Sequence, residues 1–250
     1  IPNWFFEGDA VLAETILSLA GRGRTPSFFE EQRALLLNSK NYSYMQARNG
    51  SFKNLIPNHY PLGYALVNYG RNQYGPELWS NVLADAGSYR SGNKKHYLYP
   101  FSNSLKHHTG VSTPALYKLA YADLKQQWEK ELTTLKLIPT APITHKNHKV
   151  VTDYLFPHFL ADGSIVCLKN SYDETTQLVK IKDGTETTLT SIGIATEPFL
   201  ALENNKVVWT EMRKDGRRDA VEYSVVMSFD LTSGLKKQIT RKSKYFSPAF

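Results

Sequence analysis

The sequence predicts a multidomain α plus β chain, mostly helical to about residue 136 and built of antiparallel strands from residue 149 onward. Three observations carry this. Apolar residues in the first half recur at three- and four-residue intervals between glycine and proline breaks. Apolar and polar residues alternate in the second half between turn dipeptides. That second half also repeats at a spacing of about 40 to 50 residues.

Taken in order, Pro2 and Asn3 precede an apolar-rich stretch, Trp4 to Leu19, that stops at Gly21 and Gly23. This predicts the first helix. Ser27 with Glu30 and Glu31 reads as a capped start for a second helix through Leu37. A third runs from Leu62 to Tyr74 and ends at Gly75-Pro76, where a fourth begins and reaches about Ala86. The aromatic-rich stretch Tyr89 to Phe101, with Tyr97 and Tyr99, offers rings for a peptide cleft but reads first as a surface loop packed by its own rings. Leu116, Leu119, Ala120, Leu124, Trp128 and Leu132 recur at helical spacing over residues 113–135 and predict the last helix. Pro139 and Pro142 mark a linker over residues 137–148.

Turn pairs at Asp162-Gly163, Asp183-Gly184, Asn204-Asn205 and Ser233-Gly234 then separate strands. Phe156-Pro157, Glu197-Pro198 and Ser247-Pro248 mark equivalent points of the repeat. Gly184 stands as far before Pro198 as Gly234 stands before Pro248. Units of this length match four-stranded propeller blades, and residues 149–250 hold about two, with the start of a third. Extra residues around Arg213 to Ala220 predict a protruding hairpin loop. Tyr245 to Phe250 reads as the opening of a further strand, so the chain reads as a fragment cut at both ends.

Composition narrows the class. The 250 residues are 41% hydrophobic and 21% charged, which argues for folded domains over disorder. No apolar run is long enough for a membrane-spanning helix. The net charge of +7 would suit a polyanion, but Lys and Arg are scattered. Their densest groups are Arg213, Lys214, Arg217 and Arg218, then Arg241, Lys242 and Lys244. We read a solvated basic surface and no nucleic-acid partner. The single cysteine, Cys167, sits in an apolar run and reads as a core residue.

Two segments carry chemistry. The first is Trp4-Phe5-Phe6-Glu7-Gly8-Asp9-Ala10, and the second is Tyr60-Pro61-Leu62-Gly63 at the head of the third helix. The first resembles the Trp-x-x-Glu-Gly-x-Ala helix of gluzincin zinc metallopeptidases, and the second resembles the Tyr-x-x-Gly of their aminopeptidase-N-type members. The resemblance implies a helical, C-terminal part of a gluzincin catalytic domain over residues 1–136. It gives Glu7 the role of a Zn²⁺ ligand and Tyr60 that of an oxyanion donor. Glu14, two turns beyond Glu7 on nearly the same face, would steady a metal ligand. The bland alternative for Glu14 is a solvated or salt-bridged helix carboxylate.

The pattern departs from the family in one respect. These residues hold no His-Glu-x-x-His, the motif that supplies two imidazole ligands and a general base. None of His59, His96, His107, His108, His145, His148 and His158 has the required spacing. Tight zinc binding and peptidase activity are therefore not expected of this chain alone. No phosphate-binding glycine loop or Gly-x-Ser-x-Gly elbow competes.

Residues 149–250, with Phe159-Leu160-Ala161-Asp162-Gly163-Ser164-Ile165-Val166 as the clearest stretch, resemble TolB-like β-propeller repeats. The two resemblances imply a zinc-dependent peptide-bond hydrolase acting on peptide or protein substrates. They also imply a periplasmic or cell-surface location in a Gram-negative bacterium, among envelope protein partners. The alternative is a non-catalytic envelope binding or scaffold module, made of a degenerate peptidase domain and a propeller.

Overall fold

In the computed structural model the helical periodicity of the first half becomes seven α-helices among the described residues. They are α1 (Asn3–Leu17), α2 (Glu30–Leu37), α3 (Tyr44–Asn49), α4 (His59–Tyr74), α5 (Leu78–Gly87), α6 (Pro100–Thr109) and α7 (Thr113–Thr134). The structure describes residues 1–38, 40–51, 53–88, 98–144, 150–195, 198–218 and 220–250. Tyr89 to Tyr97 of the aromatic stretch, with His96, lie outside them, as do His145, His148 and Glu197. The chain divides into two compact units, Ile1–Ile138 and Pro139–Phe250.

The helical unit closes around rings. Trp4, Phe5, Trp79 and Phe101 pack with centroids 5.2 to 6.4 Å apart, mostly edge-on or tilted. Such pairs add about 0.5–1.5 kcal/mol each beyond the area they bury. The buried indoles keep partners: Trp4 Nε1 donates to Tyr44 Oη at 2.9 Å, and Trp79 Nε1 to the Val67 carbonyl at 2.8 Å. Leu62, Leu66, Leu105 and Leu116 complete this core.

Several local expectations need correction. Ser27 does not cap the second helix. It lies inside a 3₁₀ turn, Pro26–Phe29, and α2 begins at Glu30 with no side-chain cap. The first helix ends at Leu17, before the glycines, because Ser18 turns extended there. Phe101 is not a loop ring, because Pro100 starts α6 and buries it in the core. α3 was not expected; Ser43 and Gln46 form a reciprocal capping box that starts it.

The second unit contains two four-stranded antiparallel sheets. The first has the order β1 (Thr152–Phe159), β2 (Ile165–Ser171), β3 (Gln177–Lys182), β4 (Thr185–Ser191). The second has the order β5 (Ala201–Glu203), β6 (Lys206–Lys214), β7 (Glu222–Asp230), β8 (Lys236–Gln238). Asp183-Gly184 and Asn204-Asn205 take positive φ at both residues, as two-residue hairpin turns require. The long β6–β7 hairpin accounts for the extra residues around Arg213. Phe156 and Ser247, each preceding a proline, both take positive φ. Val166, Leu168 and Leu178 of one sheet share a core with Val207, Trp209, Val225, Met227 and Phe229 of the other. Cys167 is buried on the opposite face of β2 with Val179 and Ile181, and burial pushes its thiol up to about 11. Tyr245–Phe250 forms no strand; a single parallel bridge joins Lys244 to Ser224.

Candidate functional site

The two sequence segments that carry chemistry meet at one point. α1 and α4 cross where Gly8 faces Gly63, with no room for a side chain on either. A Cβ on Gly8 would lie 2.1 Å from the Gly63 carbonyl carbon, and one on Gly63 would lie 1.9 Å from the Trp4 carbonyl oxygen. The glycine of each motif therefore lets the helices touch backbone to backbone. Glu7 precedes one of these glycines, and Tyr60 lies one helical turn before the other.

Each candidate side chain has a distinct environment. Glu7 is half-buried, and its carboxylate has neither hydrogen bond nor ion pair among the described residues. Tyr60 sits in the first turn of α4, where Asn58 caps the helix by accepting the Tyr60 backbone N–H at 3.0 Å. Its side chain lines a cavity of about 310 Å³ together with Arg22, Phe28, Glu30 and Pro57. Glu7 is not among the residues lining that cavity.

Glu14 is engaged elsewhere than at a ligand. The Arg22 guanidinium donates to both of its oxygens, at 2.7 and 3.2 Å, and the Arg22 backbone N–H adds a third bond at 2.9 Å. These bonds hold the Glu14 carboxyl below the usual carboxylate range and raise Arg22 in return. The same guanidinium lies 4.7 Å from the centre of the Tyr60 ring. The result is a chain of contacts, Glu14 to Arg22 to Tyr60, that fixes the ring's face. In sequence, Arg22 reads only as a basic flank of a helix stop, so this link was missed. Its one signal was an arginine eight residues beyond Glu14 across a glycine turn.

Of the described histidines, His59 adjoins a candidate residue along the chain. That residue precedes Tyr60, and its buried Nδ1 lacks a hydrogen-bond partner. His108 faces Asp85 at 3.7 Å, and His158 Nε2 meets the Leu200 carbonyl at 3.2 Å. Among the described residues no group of three His, Cys, Asp or Glu side chains could hold a metal ion. A catalytic zinc takes three protein ligands. The unpartnered Glu7 carboxylate suits one of them, so these residues fit part of a zinc site and not the whole. Also among the described residues, no helix is long and apolar enough to cross a membrane.

Sequence reasoning missed two further features. A second cavity, of about 370 Å³, lies between α4 and α7 and is lined by Tyr64, Asn68, Asn72 and Trp128 among others. In the β unit, Glu211 is only 1% exposed, yet it is fully partnered by Trp209, Arg213 and Lys236.

No protein-family model, curated protein or solved structure matches the chain.

Proposed function

We propose that the helical unit is the ligand-completing part of a zinc-dependent peptide-bond hydrolase. The observation that carries this reading is the Gly8–Gly63 crossing, which brings the Glu7 and Tyr60 motifs together from distant parts of the chain. When bound, zinc would activate water for attack on a peptide carbonyl. Glu7 would give the ion one carboxylate, being placed at the crossing with no competing partner. Tyr60 would donate its phenolic proton as a hydrogen bond to the carbonyl oxygen as negative charge develops. Arg22, locked by Glu14, would keep the ring oriented for that donation.

The remaining surface of α1 fits this reading. Phe6 and Leu17 are 56% and 83% exposed on the side of the helix away from the buried Trp4, Val11 and Thr15. A helix apolar on both sides is one that a further element covers. A helix bearing imidazole ligands, placed there, would meet the edge that carries Glu7. The β unit would then be part of a TolB-like propeller, and the protein would act on peptides or proteins in a bacterial envelope.

The test uses the natural protein, with metal content and turnover measured separately. Glu7→Ala should lower bound zinc in elemental analysis, and unchanged stoichiometry removes Glu7 from the ligand set. Tyr60→Phe should retain zinc and slow peptide hydrolysis roughly 10²-fold, the scale of losing one oxyanion donor. Turnover equal to wild type removes Tyr60 from the mechanism.

A second reading, a non-catalytic envelope module, draws on one observation: Glu7 does not line the cavity at Tyr60. Under it, the natural protein carries no stoichiometric zinc, and Tyr60→Phe changes nothing but local packing.

A further inference from the structure

The cavity between α4 and α7 has a composition that the proposed hydrolytic residues do not use. At about 370 Å³ it falls within the size range of small-ligand sites. Its inner corner is aromatic: Phe29 stands 5.6 Å from Tyr64 and 5.6 Å from Trp128. Its charged wall residues, Arg24, Arg33, Asp123 and Glu131, sum to zero, and each has a partner. Arg33 pairs with Glu131 at 3.0 Å, Asp123 accepts from Gln127 at 2.7 Å, and Arg24 donates to the Thr15 carbonyl at 2.8 Å. An occupant therefore needs no net charge.

The α4 wall supplies the recognition chemistry. Tyr64, Asn68 and Asn72 stand four residues apart on one face of the helix. Asn72 Nδ2 reaches Asn68 Oδ1 at 3.5 Å, the limit of a hydrogen bond. Among the described residues this leaves the Asn68 N–H groups and the Asn72 carbonyl oxygen without partners. A primary amide presents a donor and an acceptor side by side. Here the Asn68 N–H groups and the Asn72 carbonyl oxygen offer one donor and one acceptor from helix positions about 6 Å apart. An extended peptide repeats its own N–H and C=O pair about every 6.6 Å on one edge.

We propose that this groove binds an uncharged, extended peptide segment. Its backbone would pair with Asn68 and Asn72, and one apolar side chain would rest in the Phe29–Tyr64–Trp128 corner. The choice of ligand rests on the peptide-hydrolase reading and deepens it, giving a substrate a second hold on the helix that carries Tyr60. The binding itself requires neither zinc nor turnover.

The probe is acetyl-Ala-Ala-Leu-Ala-Ala-amide, titrated into isotopically labelled protein and followed by NMR. Saturable shifts of the Asn68 and Asn72 side-chain amides and of the Trp128 indole are expected. Asn68→Ala with Asn72→Ala should weaken binding about tenfold, the scale of two lost hydrogen bonds. Alanine favours the helix at both positions, so a fold defect would not explain the loss. If maltotriose shifts these signals and the peptide does not, the site is a saccharide site and the proposal is overturned. No saturable shift with either probe overturns it as well. The titration is run without zinc and reads binding at Asn68, Asn72 and Trp128 alone, so failure of the zinc reading and failure of this one are read separately.

Discussion

The two units handle carboxylates in opposite ways. In the β unit Glu211 is 1% exposed and saturated: Trp209 Nε1 donates at 2.9 Å, Lys236 at 3.0 Å, and Arg213 closes the other oxygen. In the helical unit Glu14 keeps 36% of its side chain exposed and binds one arginine, while Glu7 has no partner among the described residues. A buried carboxylate has to be fully partnered, because an unpaired one in that setting costs several kcal/mol. Glu211 is therefore committed to holding β6 to β8 and to the end of β4, through the Lys236 bond to the Ser191 carbonyl. Where charge is committed to the fold it is not free for chemistry. Exposed carboxylates without partners occur in both units, but the half-buried one without a partner among the described residues, Glu7, is in the helical unit.

That contrast makes the crossing of α1 and α4 the place of greatest sensitivity. Gly63→Ala would put a methyl 1.9 Å from the Trp4 carbonyl oxygen, which is backbone and cannot swing aside. The helices have to separate. The expected loss is at or above ~3 kcal/mol, the upper end of over-packing effects. Chemical denaturation checks it, and Gly8→Ala should behave alike. A loss under about 1 kcal/mol would show that the crossing is loose, and the two motifs would then not be held together.

Glu211→Gln comes next. The amide keeps the shape but loses the charge that answers Lys236 and Arg213, both partly open to water, so a loss of roughly 2 kcal/mol is expected. The pH dependence has a definite sign. Burial pushes the Glu211 carboxyl up, but the Gly193 N–H, the Trp209 indole and the Lys236 ammonium together bring it below its ordinary value. With the folded value depressed, its stabilisation is complete above the unfolded value near ~4.3 and is lost as pH falls through the folded one. Hydrogen-exchange protection along Lys206–Lys214, taken relative to the intrinsic amide rate at each pH, should fall on acidification in the wild type. The Glu211→Gln protein should show less of that dependence. Equal acid sensitivity in both would mean that the buried charge is not what holds this sheet.

The sequence made some of this legible and hid the rest for physical reasons. The mixed α plus β organisation followed from periodicity, and the hairpins followed from Asp-Gly and Asn-Asn pairs whose backbone demands are local. The short helix α3 escaped because six residues are too few for a period, although Ser43 and Gln46 signalled its start. The start of α6 escaped because Pro100 was read with the aromatic loop before it. Glu211 could have been suspected: it interrupts the run Val207-Val208-Trp209-Thr210 and shares a strand face with Trp209. The contact of Gly8 with Gly63 had no local signature at all. A glycine inside a helix marks a close approach without saying to what. The cavity walls likewise come from α4, α7 and the segment before and in α2, which only tertiary packing brings side by side.

The smallest effect should come from Glu14, and its smallness is itself the test of the comparison. The Glu14–Arg22 pair lies at the surface, where water and salt screen it. Glu14→Gln keeps an acceptor for the Arg22 backbone N–H, so the turn at Gly21 should survive while the charge pairing is lost. The expected result is a slightly lower thermal midpoint at low ionic strength and none of that difference in concentrated salt. Arg22 would also be freer over the Tyr60 ring, visible as a changed tyrosine ring signal with α4 otherwise intact. If Glu14→Gln instead destabilises as much as Gly63→Ala and does so independently of salt, the helical unit depends on charge as the β unit does. The division between a committed carboxylate and an available one then fails, and with it the physical reason for placing the chemistry at Glu7.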